Sequence, residues 1–92
     1  MMISMGNDNV QTSVLDIAPS AQELTDYDRA HLITYLRLLD AETEKAPWQE
    51  AVTIILGINP EDNEERARRS YETHLARAHW MAEHGYTRLL RP

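Results

Sequence analysis

PEDNEERARRSYETHLARAHWMAEHG, residues 60–85, reads as one long helix with marked ends. Glu61, Asp62, Glu64 and Glu65 suit a helix start, where carboxylates complement the positive end of the backbone dipole, and Gly85 suits the stop. From about Asp62 to His84, the residues Ala67, Tyr71, His74, Leu75, Ala78, Met81 and Ala82 recur at helical spacing and form an inner face. On the opposite side the wheel gathers Arg66, Arg69, Thr73, Arg77, Trp80 and His84, three guanidinium groups beside an aromatic ring. Arg and Trp dominate binding hot spots, so this stripe is the candidate partner-binding surface.

Upstream lies a shorter helix, opened by Pro47 in its first turn and closed by Gly57, with Trp48, Ala51, Val52, Ile55 and Leu56 as its buried face. Before it, Thr25 or Asp26 caps a first helix that runs to about Thr43, with Leu32, Tyr35, Leu36 and Leu39 as its main stripe. Ile33 and Leu38 fall well outside that stripe, so they join the candidate partner-binding residues. Residues 1–24 are polar and are expected to form a flexible N-terminal tail. Within it Val14, Leu15 and Ile17 make a short apolar patch, read as local collapse, with docking on the fold as the alternative. Beyond Gly85, Leu89 and Leu90, reached through Tyr86, are expected to make a short helical turn over the core. The expected fold is therefore all-α: a small three-helix, helix-turn-helix-like domain over residues 25–92.

Composition narrows the function. With 92 residues, 42% hydrophobic and 26% charged, there is room for one globular domain. The apolar runs are too short for a bilayer span, no secretion signal opens the chain, and zero cysteines fit a reducing compartment, so a cytoplasmic location is expected. Three isolated glycines cannot build a phosphate cradle. His74, His79 and His84 recur every five residues, which splays their rings too far apart around a helix for one metal. No catalytic residue, metal or cofactor is expected, and the chain reads as a non-enzyme.

Charge is uneven along the chain: residues 1–65 hold 13 acids and 3 bases, whereas residues 66–92 hold 6 bases and 2 acids. Such asymmetry permits weak head-to-tail self-association. Two helices followed by a longer one with outward bases outline a helix-turn-helix, whose second motif helix enters the major groove by its N-terminal residues. Here those residues include Glu61, Asp62, Glu64 and Glu65. At an effective dielectric near 20, a like-charge pair about 6 Å apart costs about 3 kcal/mol, so weak or absent DNA binding is expected by that end.

Asp28, Arg29, His31 and Leu32, the run Leu36-Arg37-Leu38-Leu39-Asp40-Ala41, Leu56-Gly57, Arg68-Arg69 and the ending Gly85-Tyr86-Thr87-Arg88-Leu89-Leu90 resemble the proteobacterial domain of unknown function 2285 family over about residues 26–91. The resemblance implies a helix-turn-helix variant from regulators of integrative and conjugative elements, in which horizontal gene transfer is tied to quorum sensing. It also implies Leu36, Leu39, Leu56, Tyr86, Leu89 and Leu90 as core, with Arg68 and Arg69 at positions a DNA-binding member would use. A short, acidic, stand-alone member resembles the antiactivator type, which binds a transcriptional activator carrying a related domain and blocks it. The leading expectation is such an antiactivator. A direct DNA-binding regulator is the alternative, and an assembly subunit without a regulatory role is the third.

Overall fold

A computed structural model describes residues 14–85. Over these residues the chain is all-helical: α1 (Asp26–Ala30), α2 (Leu32–Thr43), α3 (Trp48–Leu56) and α4 (Glu64–Trp80), with α4 continuing into a π-helical turn, Met81–Gly85. The helical architecture expected from periodicity is present, with the first helix divided in two. The division falls at His31, whose φ of −121° and ψ of 26° leave the helical region. Its ring Nδ1 lies 2.8 Å from the Tyr27 carbonyl, the acceptor its own backbone N–H would take in a continuing helix, while that N–H turns to the Asp28 carbonyl.

Each boundary has a local cause. Thr25 and Asp28 form a reciprocal capping box: the Thr25 hydroxyl accepts from the Asp28 N–H at 3.1 Å, and the Thr25 N–H donates to the Asp28 carboxylate at 2.9 Å. Pro47 stands one position outside α3 as its cap, and Gly57, at φ +71°, ends α3 in the left-handed region, where a Cβ would be strained. Asn63 opens α4 by accepting from the Arg66 N–H at 3.0 Å.

The core has two parts. Leu38, Val52, Leu56 and Ala67 form one, flanked by Trp48, Ile55, Ile58, Tyr71 and Leu75; Tyr35, Ala78 and Met81 form the other, flanked by Leu24, Leu32, Leu39 and Trp80. Two expectations for α2 are corrected here. Leu38, expected on a partner-binding surface, is 0% exposed, and Leu36, expected in the core, is 47% exposed. The reason is that α2 packs against both α3 and α4, so its buried line follows His31, Tyr35 and Leu38 instead of the most leucine-rich stripe.

Part of the expected tail is also built into the fold. Val14 packs on the first core cluster and Ala18 is buried, although Leu15 and Ile17 are exposed. The backbone of this strap, residues 14–24, bonds to side chains of α4: the Ser70 hydroxyl donates to the Leu15 carbonyl at 3.2 Å, and the Ala18 N–H donates to Thr73 at 3.1 Å. Residues 1–13, and the turn expected around Tyr86, Leu89 and Leu90, lie outside the described residues. Among the described residues no helix is long and apolar enough to cross a membrane.

Candidate functional site on helix α4

The stripe Arg66, Arg69, Thr73, Arg77, Trp80 and His84 does not form one open surface, because the strap lies along most of it. Arg66 is exposed but bonded to Asp16 at 2.9 Å. Thr73 receives the Ala18 N–H. Arg77 is 4% exposed, so it faces the interior. Its Nε and Nη2 donate to the two Asp28 oxygens at 3.0 and 2.7 Å, Nη2 also to the Glu23 carbonyl at 3.0 Å, and Nη1 to the Ala21 carbonyl at 2.7 Å. Trp80 is half-buried, with its ring centroid 3.9 Å from the Arg77 guanidinium carbon, and His84 is exposed beside it at 5.9 Å between ring centroids. Ile33, on α2, is 68% exposed.

Arg77 is the centre of a polar network that periodicity did not reveal. Asp28, Tyr35 and Arg77 are all buried, and the Tyr35 hydroxyl donates to Asp28 at 2.8 Å. Burial alone would raise the Asp28 carboxyl, but Arg77, the Thr25 N–H and Tyr35 outweigh it and hold the group at about 2. Burial and the Asp28 carboxylate push the Tyr35 phenol far up, keeping it a donor. Beside this network, burial pushes the His74 imidazole below its ordinary value, with the Ser70 carbonyl opposing and His31 adding to the fall. Neutral His74 then donates from Nδ1 to that carbonyl at 2.7 Å and accepts the Tyr27 hydroxyl at Nε2, at 2.5 Å. His31 stacks on Tyr27 with centroids 4.0 Å apart, and its Nε2 is buried with no hydrogen-bond partner among the described residues. These groups tie the strap, α1, α2 and α4 together.

What α4 leaves open is a different line: Glu65, Arg68, Arg69, Glu72 and Ala76, all exposed. Arg68 donates to Glu72 at 3.1 Å and lies over the Trp48 ring, 5.5 Å from its centroid, which lays the guanidinium against α3. Arg69 makes no ion pair among the described residues and is exposed between Glu65 and Glu72. The acids expected to oppose phosphate, Glu61, Asp62, Glu64 and Glu65, occupy the preceding turn and the first turn of α4, and all are exposed. Solvent and salt screen them there, so the unscreened figure of about 3 kcal/mol overstates the repulsion. The open line thus presents two adjacent guanidinium groups on the second turn of a 17-residue helix.

Residues 7–91 match the model of the RovC DNA-binding domain family, described as "T6SS, Transcription factor, DNA binding domain". The chain belongs to this family. No curated protein matches it. The RovC-type assignment replaces membership of the domain of unknown function 2285 family, together with the mobile-element and quorum-sensing setting that the resemblance implied. It also overturns the antiactivator reading and the expectation of weak or absent DNA binding, since the RovC family is described by its DNA-binding domain. Exposed acids at one helix end do not exclude the duplex from the turns that follow.

Proposed function

We propose that this chain is a DNA-binding transcriptional regulator, with α3 and α4 as the two helices of a helix-turn-helix-like reader and the open line of α4 facing the duplex. The family match over residues 7–91 carries this reading. The geometry supports it by leaving Arg68 and Arg69 exposed side by side while the neighbouring stripe is occupied by the strap. Arg69, with no ion pair to give up among the described residues, takes the base-reading role, because a guanidinium fits the two acceptors of guanine in the major groove. Arg68, steered by Glu72 and Trp48, and Arg66, held by Asp16, bind phosphate. Both ion pairs are largely exposed, and such pairs contribute only about 0 to 1 kcal/mol, so a phosphate displaces either carboxylate at small cost.

Arg68 and Arg69 therefore lie one turn past the acidic start of α4, with Arg66 at the end of that first turn. Arg77 holds the strap and takes no part in recognition, and Trp80 and His84 lie further along on the strap side. The test is selection of duplexes from a random library by the full chain, followed by gel shifts with the enriched sequence. The family description makes promoters of T6SS genes the first natural duplexes to include. Arg69→Ala is expected to weaken the enriched duplex more than random duplex, by about 1 to 3 kcal/mol. Arg66→Ala and Arg68→Ala are expected to weaken both alike. Failure to enrich any sequence, with all three variants indistinguishable from the parent, would remove α4 as the reader.

A further inference from the structure

We infer that a second copy of this chain docks on the outer face of α2, pairing the two α2 helices antiparallel about a two-fold axis. α2 turns Tyr35 and Leu38 inward, which leaves Ile33, Leu36, Arg37, Asp40 and Glu44 on its outward half. Ile33 at 68% and Leu36 at 47% exposure are large apolar side chains facing water. Alongside, a groove between α2 and α3 is lined by Arg37, Asp40 and Glu44 from one helix and Glu50 and Ile54 from the other, with Ile54 also exposed.

The order of charges along α2 selects the occupant. Arg37 and Asp40 stand one turn apart and, among the described residues, neither side chain has an ion-pair partner. A two-fold axis beside the outer face of the helix, level with the midpoint between them, places Arg37 of each copy against Asp40 of the other, forming the pair twice. The same axis sets Leu36 against Ala41 and brings Glu44, at the C-terminal end of α2, toward Ile33 and the positive N-terminal end of the other α2. Each contact is then made in both directions, as an isologous interface requires. This surface differs from the head-to-tail attraction that the charge asymmetry of the sequence permits. α4 packs on the opposite side of α2, so pairing leaves Arg68 and Arg69 uncovered.

One helix face of 12 residues gives a small interface, on the order of 1,000 Å² in total, and a dimer in the micromolar range. The inference is independent of the DNA reading and is tested without DNA, by sedimentation equilibrium of the full chain from about 1 µM to about 1 mM. The parent is expected to show a monomer–dimer equilibrium. Arg37→Asp and Asp40→Arg each convert two attractive contacts into repulsive ones and are expected to weaken dimerisation about tenfold or more, while the double exchange restores it to within about threefold. Ile33→Lys, which leaves the charge pairs intact, is expected to weaken the dimer as well. Far-UV circular dichroism of every variant is expected to match the parent, since these side chains are exposed. A monomer at every concentration, as when other residues of the chain cover α2, would overturn the inference. So would open-ended growth beyond the dimer, a double exchange that fails to restore pairing, or, if either charge variant loses its helices, an undiminished dimer in Ile33→Lys.

Discussion

Truncating Arg77 is expected to remove a large part of this domain's stability, although a sequence reading places it on a binding stripe. The guanidinium makes four hydrogen bonds of 2.7 to 3.0 Å, two to Asp28 and two to strap carbonyls, and stacks on Trp80. Arg77→Ala leaves Asp28, which is 0% exposed, ionised against only Tyr35 and Thr25. Breaking one side of a buried ion pair costs about 3 to 5 kcal/mol. A domain of this size has a total stability of about 4 to 10 kcal/mol at 0.05 to 0.15 kcal/mol per residue, so Arg77→Ala consumes a third of it or more. Arg77→Lys keeps the charge but loses the planar fork, so its loss is smaller. The assay is urea denaturation followed by circular dichroism, comparing midpoints at unchanged slope. Arg77→Ala within about 0.5 kcal/mol of the parent, the range of ordinary surface substitutions, would refute the buried network and return Arg77 to the surface.

Other consequences are sharp enough to measure. Leu38→Ala is expected to cost about 2 to 5 kcal/mol and Leu36→Ala less than about 1 kcal/mol, an ordering that chemical denaturation resolves and that a leucine-stripe reading of α2 reverses. Thr25→Ala removes half of the capping box and is expected to cost about 0.5 to 2 kcal/mol in the same assay. Stability is expected to fall on acidification in two stages. His74 is depressed in the fold, so the unfolded chain binds the proton more readily, and stability falls as pH drops below about 6.5, the ordinary histidine value. Asp28 is depressed to about 2, so its contribution is present above 3.8 and lost as pH falls from there through about 2. Midpoints measured from pH 8 to pH 2 check both, and His74→Gln is expected to remove the upper stage alone.

Periodicity located the helices because their start and stop residues are local: Thr25, Pro47, Gly57 and the Asn63 region each act within a few residues. It also found most of the inner face of α4, where Ala67, His74, Ala78 and Met81 are buried. The break at His31 escaped it, because a ring bonding the Tyr27 carbonyl leaves the apolar spacing intact. The rotated face of α2 escaped it because burial depends on which helices arrive from other parts of the chain. The candidate stripe was misread for a related reason. Arg66, Thr73 and Arg77 do share a side of α4, but their partners are Asp16, the Ala18 backbone, Asp28 and the carbonyls of Ala21 and Glu23, some fifty positions away. Backbone carbonyls carry no sequence signal, so an arginine that bonds them looks the same as one in water. Arg69, which the wheel places on the same stripe, is open in the fold. Arg68 entered through the Arg68-Arg69 pair and lies beside it on the open line.

The most direct test of the account is the salt dependence of DNA binding by the full chain, followed by fluorescence anisotropy of a labelled duplex between about 50 and 300 mM salt. With Arg66, Arg68 and Arg69 at the duplex, the logarithm of the binding constant is expected to fall linearly against the logarithm of salt, with a slope of about −2 to −4, and Arg68→Ala is expected to make that slope shallower by about 1. No change in anisotropy at the lowest salt, or a slope that Arg66→Ala and Arg68→Ala leave untouched, would contradict it.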